Sequence, residues 1–584
     1  MVVDAARRLG PRPVLLAAWH RVAGRRIARA RLRDAALPDG PFLPAGVPPA
    51  RGLPAWHRVV LLSRAAGVAP PDWHGPFPAD GHALHLDLFQ PGDIRPVWER
   101  NRWAELPLLA QAARLDPGGG HPGRAEALLA DWLAANPPFR GPNWACGQEA
   151  ALRALHLGLA LALLGAERAL PPGARALLAL HGCRIAATPA YALAQDNNHT
   201  VSEAAGLMIC GLLLGEAGWA RRGLRRLEAA LLRLVSPEGA FAPLSTGYHR
   251  LLLDVLSVAE WLRRRLGGPA PAAAAMERAA AATRWLHRLA APATGILPRL
   301  GHQDGSAFAD LALAGPDDAR PSLERAARLF CGGSIGAREE PGCLWLGLPA
   351  GPVLPAPPAA WAGPGLRGWQ AEGARAVLRT GPLRFRPGQA DLLHLELWDE
   401  GLALLRDGGT GAYNPPPDQA WWHAHFTGTA AHNTIAFDGE DQMPRVSRFL
   451  FARWPRTGDL PDGAWIEDWR GRRHARRLRV EGRRWIVEDV ISGPFREAVL
   501  RWRLAPSAWR LLPDGVEGPL GSLRIGADAP VAVRLEPGWE SPAYGCVRPA
   551  PVLLARVCSP VTSLKTVIQC PAQSWVDSRH SVYK

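Results

Sequence analysis

The chain contains almost no lysine. Lys565 and Lys584 are its only lysines among 68 basic residues, and the formal net charge is +15 at pH 7. Such a basic surface attracts polyanions, among them acidic glycans, nucleic acids and anionic membranes. No nucleic-acid-binding motif accompanies the arginines, which are scattered along helical patterns such as residues 221–226 and 263–265. We therefore expect no nucleic-acid partner, mostly solvated arginine-rich helix faces, and a few arginines in a cleft for an acidic glycan.

The chain also lacks closely spaced cysteines. None of its eight cysteines forms a pair with the spacing of a metal site, and Cys210 lies inside an apolar helical pattern. We therefore predict reduced thiols inside hydrophobic cores instead of a disulfide framework. Reduced thiols favour a reducing compartment.

The N-terminal region has no apolar run long enough to cross a membrane. The segment Val14–Ala18 is apolar, but it is short and lies between Arg8 and Arg21. It is too short for a membrane span and is not followed by a clear cleavage site. The sequence therefore predicts neither a transmembrane segment nor a signal peptide.

A length of 584 residues is too great for one hydrophobic core. From residue 94 to about residue 290, amphipathic patterns alternate with short loops rich in Gly, Pro and Asn, which is typical of antiparallel helix hairpins. Pro107 should kink or break the first helix. The predicted helices are Val97–Leu115, Arg124–Ala135, Ala145–Leu164, Ala174–Ala187, Ser202–Leu214, Trp219–Leu234, Tyr248–Leu266 and Ala272–Leu289.

The pattern changes to strands after about Trp345. Apolar and polar residues alternate over Leu392–Leu405, with a turn at residues 399–401, which predicts mostly antiparallel β structure. The proline-rich segment Ala350–Pro364 is the predicted linker between the two halves. We divide the chain into an irregular lead-in (1–93), a helical domain (94–345), a β domain (346–558) and an atypical tail (559–584).

One segment has the layout of a carboxylate-binding site. Asp196, Asn197 and Asn198 are good N-cap residues in front of an apolar helix, and the free amides at a helix start favour an anion beside Asn198 and His199. A second helix start at Ser245 places Tyr248 in a first turn. An amide, an imidazole and a phenol around one anion favour removal of a proton alpha to a carboxylate. Asn198 would neutralise the carboxylate while His199 or Tyr248 moves the proton.

Five motifs in one order, from about Trp98 to Leu504, resemble the heparinase II/III-like polysaccharide lyases. They are Trp98-Glu-Arg-Asn-Arg102, Gly141-Pro-Asn-Trp144 with Glu149 and Arg153, Asn197-Asn-His199 with Glu203 and Gly206, Ser245 with Tyr248-His249, and Ala431-His-Asn-Thr434 with Asp438-Gly439. The resemblance implies an α+β multidomain fold, with an N-terminal incomplete α/α toroid followed by a C-terminal antiparallel β-sandwich. It also implies a cleft that cleaves uronic-acid polysaccharides by β-elimination, in the cell envelope or periplasm, with the cytoplasm as the alternative.

The resemblance also assigns site residues. The catalytic candidates are Asn198, His199, Tyr248 and His432, and the candidate substrate-binding residues are Asn197, Trp144, His249 and His302. A tyrosine is a weak base near neutral pH unless positive charge stabilises its phenolate. For Tyr248, that charge would come from His199, His249 and the arginines.

The β domain departs from the family pattern. Relatives carry a His-x-His-x-Asp motif where this chain has Arg386-Pro-Gly-Gln-Ala-Asp391, so the two histidine positions fall on Pro387 and Gln389. In relatives the second histidine binds a structural metal, usually zinc, together with an aspartate and a histidine that correspond to Asp407 and His432. An amide such as Gln389 is a poor zinc ligand, so we expect no tightly bound zinc or other divalent metal. Nearby, His423 and His425 alternate as on a strand and could bind metal or sugar.

Three functions stay open from the sequence. The first is a lyase acting on an acidic polysaccharide. The second is a uronate C5-epimerase, because reprotonation of the same carbanion on its other face gives an epimer. The third is a non-catalytic acidic-glycan-binding protein in surface-polysaccharide assembly, because the histidine pair is lost. The identity of the glycan, like the choice between endo- and exo-action, has no readable signature in the sequence.

Overall fold

The computed structural model describes residues 1–50 and 52–571. Helices occupy most of the chain up to residue 346, and antiparallel sheets occupy most of the remainder. Across these two ranges, none of the helices combines the length and the apolar character that a membrane crossing requires. The buried apolar side chains form two large clusters, one mainly in the helical part and one in the sheet-rich part, and a small third cluster.

The lead-in contains four helices, so the prediction of an irregular segment holds only for the stretches between them, while its packing on the helical body is as predicted. Pro11 and Pro13 lie in the first turn of the second helix, where a backbone N–H has no intrahelical partner and proline costs little. The proline content therefore does not exclude helix here. The helices are α1 Val2–Leu9, α2 Pro11–Trp19, α3 Arg25–Arg31 and α4 Ala55–Ala66, and a π-helical turn over His20–Gly24 joins α2 to α3.

The helical domain contains every helix that the sequence predicts. The segment Val97–Leu115 forms two helices instead of one, and the break is at residues 101–104, where Trp103 has a φ of 63°. Pro107 lies harmlessly in the first turn of the second helix. The helices are α5 Ile94–Arg100, α6 Glu105–Leu115, α7 His121–Ala135, α8 Gly147–Leu163, α9 Pro172–Ala187, α10 Pro189–Gln195, α11 Asn198–Leu214, α12 Ala217–Leu234, α13 Thr246–Arg265, α14 Ala273–Leu289, α15 Arg320–Ala326 and α16 Pro341–Leu346.

Helices α8 and α11 pack closely at the centre of the helical domain. All residues of α8 are buried, and Gly206 of α11 faces Ala151 of α8 so closely that a Cβ at position 206 would lie 2.6 Å from the Ala151 Cβ. Because interiors are packed at crystal-like density, this contact fixes the two helices against each other. It also fixes their N-terminal ends, which carry Gln148 and Asn198.

The β domain consists of antiparallel sheets. A five-stranded sheet has the order β1 Ala360–Gly363, β2 Leu366–Ala371, β3 Ala374–Arg379, β4 Leu395–Asp399 and β5 Leu402–Leu405. The later elements are β6 Ile435–Phe437, β7 Arg445–Ser447, β8 Leu450–Phe451, β9 Arg456–Leu460, β10 Gly463–Glu467, β11 Arg473–Glu481, β12 Arg484–Ser492, β13 Glu497–Arg503, β14 Arg510–Leu512, β15 Gly515–Gly518, β16 Gly521–Ala527, β17 Val531–Ala543, β18 Cys546–Cys558 and β19 Ser563–Gln569.

Two of these sheets enclose the β-domain core. The eight-stranded sheet has the order β14-β15-β16-β19-β12-β11-β10-β9, and the four-stranded sheet has the order β17-β18-β13-β6. Trp485 of β12 and Trp502 of β13 are both buried in the shared core. The strands β7 and β8 form a separate two-stranded hairpin.

Two predictions for the β domain are wrong. Strand β19 pairs with β12 and β16 inside the eight-stranded sheet, although the segment 559–584 was predicted to be an atypical tail. Its inward residues Leu564, Thr566 and Ile568 are buried, and a threonine among them weakens the alternation in the sequence. Residues 572–584 of the predicted tail lie outside the described part of the chain. The second error concerns His423 and His425, which lie on a helix, α17 Trp421–Thr427, and not on a strand.

Candidate active site

The start of α11 has the predicted capped geometry. The side chain of Asn197 is the N-cap and accepts a hydrogen bond from the His199 N–H at 3.1 Å. Asn198 follows as the first helical residue, 4% exposed, and its Nδ2 donates to Gln148 Oε1 at 2.8 Å. Asp196 is not the cap. It forms an ion pair with Arg233 at 2.6 Å.

His199 is neutral at the pH of the cell. Burial lowers the pKa of His199 to about 4, while the charges of Asp304 and Arg386 act on the same ring in opposite directions. Its Nδ1 lies 3.8 Å from the Sγ of Cys146. A neutral imidazole has a free lone pair, so His199 can accept a proton without first losing one.

One turn further along α11, Glu203 is a buried carboxyl without a hydrogen-bond partner. Neither of its oxygens has a donor among the described residues, and a Cβ at Gly147 would lie 2.6 Å from the carboxyl carbon. Burial raises the pKa of Glu203 to about 8, against the opposing charges of Arg184 and Arg226. Glu203 is therefore protonated in the folded protein near neutral pH.

The start of α13 presents Tyr248. Ser245 caps the helix by accepting a hydrogen bond from the Tyr248 N–H at 3.1 Å. The Tyr248 hydroxyl donates to Asp304 Oδ2 at 2.8 Å, and the hydroxyl of Tyr413 from the β domain lies 2.7 Å from it. Because the only hydroxyl proton of Tyr248 points to Asp304, Tyr413 is the donor in the second contact.

Tyr248 is a phenol in this arrangement. Burial and the charge of Asp304 raise the pKa of Tyr248 well above its usual value. The expectation that nearby positive charge stabilises a Tyr248 phenolate is therefore wrong for this structure. A tyrosine with a raised pKa suits the role of proton donor, whereas His199 suits the role of base.

A chain of buried ion pairs holds Asp304 in place. Arg95 Nε lies 3.2 Å from Asp304 Oδ2, and although burial acts in the other direction, Arg95 lowers the pKa of Asp304. Arg95 also pairs with Glu99, which pairs with Arg102 at 2.6 Å. Arg102 in turn binds Glu149 of α8 through two hydrogen bonds of 2.7 and 2.8 Å.

The loop that carries Asp304 also brings His302 to the cleft. The His302 ring lies against Gly388 and 5.2 Å from the Tyr413 ring. Gly388 permits this approach, because a Cβ there would lie 2.5 Å from the imidazole. His302, Tyr248 and Pro387 line one small cavity. His302 is therefore next to the site that the lost histidine would have occupied at Pro387.

Arg386 supplies a free positive charge to the cleft. It is half-buried, and its charge acts on Tyr191, His199 and His302. In the part of the chain that the structure describes, Arg386 has neither a hydrogen bond nor an ion pair. A guanidinium without a protein acceptor suits a planar carboxylate ligand.

A cavity of about 450 Å³ opens on the β-domain side of Tyr413. Its lining includes His423, Arg445 and Arg448 as well as Tyr413. Arg445 contacts the His423 ring at 2.6 Å, and Arg448 stacks on Phe89 at 4.4 Å. The space and its positive charge suit an acidic sugar unit next to the two tyrosines.

Two predicted substrate-binding residues lie outside the cleft. Trp144 is fully buried, packs at 5.4 Å from the Arg153 guanidinium, and donates from Nε1 to the Asn136 carbonyl. His249 is buried against α14, where its Nε2 lies 2.9 Å from the Ala282 carbonyl, and burial lowers its pKa to about 4. Both predictions are wrong, because tertiary packing turns these rings into the helical core. His249 is also neutral, so it does not supply positive charge to Tyr248.

Asn197 and His432 both form hydrogen bonds within the protein. Asn197 is committed to its capping hydrogen bond, and its Nδ2 donates to Gln195 Oε1 at 3.3 Å. His432 is completely buried, and its Nδ1 lies 2.7 Å from Asp407 Oδ2. Burial closes His432 to a substrate, so a direct catalytic role for it is not supported. Asn197 is half-exposed, and its substrate-binding role stays a prediction.

His394, Asp407 and His432 form a buried group whose potential ligand atoms lie within 4.8 Å of one another. Two imidazoles and a carboxylate are a donor set that zinc accepts. The Nδ1 atoms of His394 and His432 both have hydrogen-bond partners, whereas neither Nε2 atom has one among the described residues. The Asn433 N–H donates to His394 Nδ1 at 2.9 Å, so the ring proton is on Nε2, which faces Asp407 Oδ2 at 3.4 Å. A protonated nitrogen has no lone pair for a metal.

Gln389 is not part of this group. Its amide nitrogen, Nε2, donates to the carbonyls of Gly409 and Phe426 at 2.9 and 3.1 Å. The side chain thus joins two loops of the β domain. The third member of the buried group is His394, a residue that the comparison with the family motif did not single out.

The family comparison and the solved structures agree with this architecture. Residues 355–571 match the family described as Heparinase II/III-like, C-terminal. This match confirms the predicted resemblance of the chain to heparinase II/III-like polysaccharide lyases. No curated protein matches the chain significantly.

Three solved structures are similar over almost the whole chain. One heparinase III has a TM-score of 0.64 and 13% identity, covering 96% of this chain and 92% of its own. The heparinase III described as the BT4657 gene product has a TM-score of 0.59 and 16% identity, with coverages of 96% and 91%. The heparan sulfate lyase HepC from Pedobacter heparinus has a TM-score of 0.56 and 17% identity, with coverages of 96% and 88%. The predicted fold of a helical toroid followed by a β-sandwich is confirmed.

Replacing Glu203 should change the pH dependence of stability. The unfolded carboxyl ionises near its ordinary pKa of 4.5, whereas the folded one ionises near 8, so the wild-type protein loses stability as pH rises through this window. Glu203→Gln removes the ionisation. We therefore compare the free energies of unfolding of the variant and wild type at pH 5 and at pH 8. From pH 5 to pH 8 their difference should shift in favour of the variant by on the order of 2–4 kcal/mol, as measured by thermal unfolding.

Glu216→Gln is the matched control, because Glu216 is exposed at the start of α12. It should leave the pH dependence unchanged. If Glu203→Gln and wild type respond equally to pH, then Glu203 is ionised in the folded protein and the assignment of a protonated carboxyl is wrong.

Proposed function

We propose that the protein is a polysaccharide lyase that cleaves a uronic-acid-containing glycan by β-elimination. The observation that supports this most is the pair of groups at the starts of α11 and α13. His199 is neutral, Tyr248 is protonated, and the charge of Asp304 acts on both. A base and an acid with pKa values pushed apart suit a reaction that removes one proton and delivers another.

Carboxylate neutralisation is the first requirement of this reaction. A uronate holds its C5 proton tightly because the carboxylate is already negative, and charge grows on it as the proton leaves. In our proposal Arg386 binds the carboxylate and the Asn198 amide stabilises the growing charge. The charge of Arg386 acts on His199, which follows Asn198 in the chain.

The proton transfers then balance. The His199 lone pair takes the C5 proton, the C5 electrons form the C4–C5 double bond, and the C4–O4 bond breaks. O4 takes the hydroxyl proton of Tyr248. The Tyr413 hydroxyl, 2.7 Å away, donates to the phenolate that remains. Transfer of the proton from His199 to Tyr248 through solvent restores the starting state.

An acidic polysaccharide substrate fits the net charge of +15 and the arginines that line the cavity beside Tyr413. The location that the family resemblance implies, the cell envelope or periplasm, is part of the same proposal. The size and charge of the cavity do not select one glycan, so the substrate panel for the experiment covers alginate, heparan-type and bacterial exopolysaccharide chains.

The central experiment measures the ultraviolet absorbance of the unsaturated uronate product. We expect at least one glycan of the panel to give this product, and we expect Tyr248→Phe to abolish its formation while glycan binding stays within a few-fold. Arg386→Gln should mainly raise KM, because its ion pair forms in the ground state. Arg386→Lys keeps the charge but loses the planar fork, so its KM should lie between those of wild type and Arg386→Gln.

Two outcomes would contradict the lyase proposal. Deuterium uptake at C5 from heavy water without chain cleavage would indicate an epimerase. Glycan binding without turnover across the panel, unchanged by Tyr248→Phe, would indicate a binding protein.

Asn198 should affect the rate more than the binding of substrate. Its amide stabilises charge that appears only as the C5 proton leaves, and loss of one such preorganised donor typically lowers kcat by about 10²–10³-fold. We therefore expect Asn198→Ala to lower kcat by about that factor with KM little changed. Steady-state kinetics on the preferred glycan measure this split.

The neighbouring asparagine is a matched control. Asn197→Ala removes the N-cap and should cost about 1 kcal/mol of stability while kcat changes little. If the two variants lose kcat equally, or if Asn198→Ala unfolds the protein, then the asparagine pair is structural and the assignment of Asn198 to the carboxylate fails.

We also propose that hydrogen bonds, and not a metal, hold the His394–Asp407–His432 group. The hydrogen bond that the Asn433 N–H donates to His394 Nδ1 and the short contact from His432 to Asp407 support this. Purified protein should therefore contain far less than one zinc per chain by elemental analysis, and chelation should leave the melting temperature unchanged. Stoichiometric zinc, lost on chelation together with thermal stability, would show that the His394 ring is reoriented around a metal.

A further inference from the structure

The first 33 residues, here called the N-terminal arm, present an apolar stripe to solvent. The side chains of Leu15, Trp19 and Val22 are 67%, 49% and 73% exposed. They follow the spacing i, i+4, i+7 along α2 and the π-helical turn, so they lie on one face of a continuous helical segment that runs from Pro11 to Arg31. An exposed stripe of large apolar residues on one helix face is typical of an interaction surface.

The opposite face of the arm is firmly docked. Ala28 and Leu32 are buried in the core of the helical domain, and α2 packs against α10. At the start of the arm, Asp4 accepts a hydrogen bond from the backbone N–H of Arg453 in the β domain at 2.5 Å. The arm is therefore a fixed part of the fold, and its apolar stripe faces outward because the other side is already occupied.

Trp19 lies along the surface of the arm. A Cβ at Gly24 would be 2.6 Å from the Trp19 indole, so a glycine is needed for the ring to lie against the helix here. The ring stays half exposed. An indole at the edge of an apolar stripe, with its polar N–H available to water, is suited to the boundary between lipid and water.

The arm is strongly positive. Residues 1–33 contain nine arginines and a single acidic residue, Asp4. Arg21 and Arg26 are exposed, and neither side chain has a hydrogen bond or an ion pair with any residue in the ranges 1–50 and 52–571. The positive charge near the stripe is thus available to an external anion.

The combination of stripe and charge favours one class of partner. A hydrated acidic glycan or a nucleic acid would engage the arginines but would leave Leu15 and Val22 in water. An anionic lipid surface engages both, because the apolar side chains enter the acyl boundary while arginines meet the headgroups. We propose that the N-terminal arm binds the surface of an anionic membrane, with Leu15, Trp19 and Val22 inserted and the arm parallel to the surface.

The proposal is independent of the lyase activity. The arm contributes none of the residues that hold or move protons in the proposed reaction. Membrane binding would hold the enzyme at a lipid surface without changing its turnover of a soluble glycan.

Co-sedimentation of the full-length protein with vesicles tests the proposal. We expect binding to vesicles of phosphatidylcholine and phosphatidylglycerol in equal parts, and much weaker binding to pure phosphatidylcholine. The triple variant Leu15→Ser/Trp19→Ser/Val22→Ser should bind the mixed vesicles about tenfold or more weakly, since it removes the inserted apolar surface. Arg21→Gln/Arg26→Gln should weaken binding and reduce its dependence on salt.

Val59→Ser is the matched control. Val59 is 70% exposed on α4, outside the arm, and its replacement should leave vesicle binding unchanged. Equal melting temperatures for all variants would show that the fold is intact. Absence of binding to the mixed vesicles, or equal binding by the triple variant and wild type, would overturn the proposal. So would an arm variant that loses affinity for an acidic polysaccharide while wild type ignores vesicles, because the arm would then serve the glycan.

Discussion

The ionised carboxylate of Asp304 is the interaction on which the candidate site depends. It receives a hydrogen bond from Tyr248 and lies 3.3 Å from the Tyr413 hydroxyl, while Arg95 balances its charge. A buried carboxylate without a cation would be protonated instead, and it would then no longer be a charged acceptor for the Tyr248 hydroxyl. Arg95 is itself tied through Glu99 and Arg102 to Glu149 in the core of the helical domain. A chain of ion pairs that runs from Glu149 on α8 to Asp304 thus orients the two tyrosines.

The same contacts join the two domains. Tyr413 belongs to the β domain, and its backbone N–H donates to the Tyr544 hydroxyl, which donates to Asp93 at the start of α5. Asp93 also caps α5, the helix on which Arg95 pairs with Glu99. A shift of the β domain would therefore move Tyr413 and disturb the helix that positions Arg95. Because these hydrogen bonds pair specific donors with specific acceptors across the domain boundary, they favour one arrangement of the two domains.

The sequence predicts those parts of the site that local chemistry determines. Asn197 and Ser245 are recognisable as caps because a cap needs only a side-chain oxygen next to a free N–H, and this is a property of a few consecutive residues. The helices themselves follow from their apolar period. Trp144 and His249 were misplaced because the same residue types serve equally well in a core and in a cleft, and only tertiary packing decides which way each ring points. Asp304, Arg386 and Tyr413 lie in loops without periodicity, so no sequence pattern brings them to one point.

The β domain shows how a site can lose family residues and keep its shape. The two histidine positions of the family motif are Pro387 and Gln389 here, yet Gln389 Nε2 binds the carbonyls of Gly409 and Phe426. Arg476, paired with Asp489, donates to the carbonyls of Leu393 and Asn433, the neighbours of His394 and His432. The loops around His394, Asp407 and His432 are joined by the Gln389 amide, the Arg476 guanidinium and the contact between His432 and Asp407. These bonds satisfy buried carbonyls that would otherwise be costly to leave unpaired. In the proposed reaction the β domain contributes Tyr413 and Arg386, and neither of them occupies an altered histidine position of the motif. The asparagine, histidine and tyrosine of the helical domain can therefore keep their proposed roles although Pro387 and Gln389 replace the two histidines.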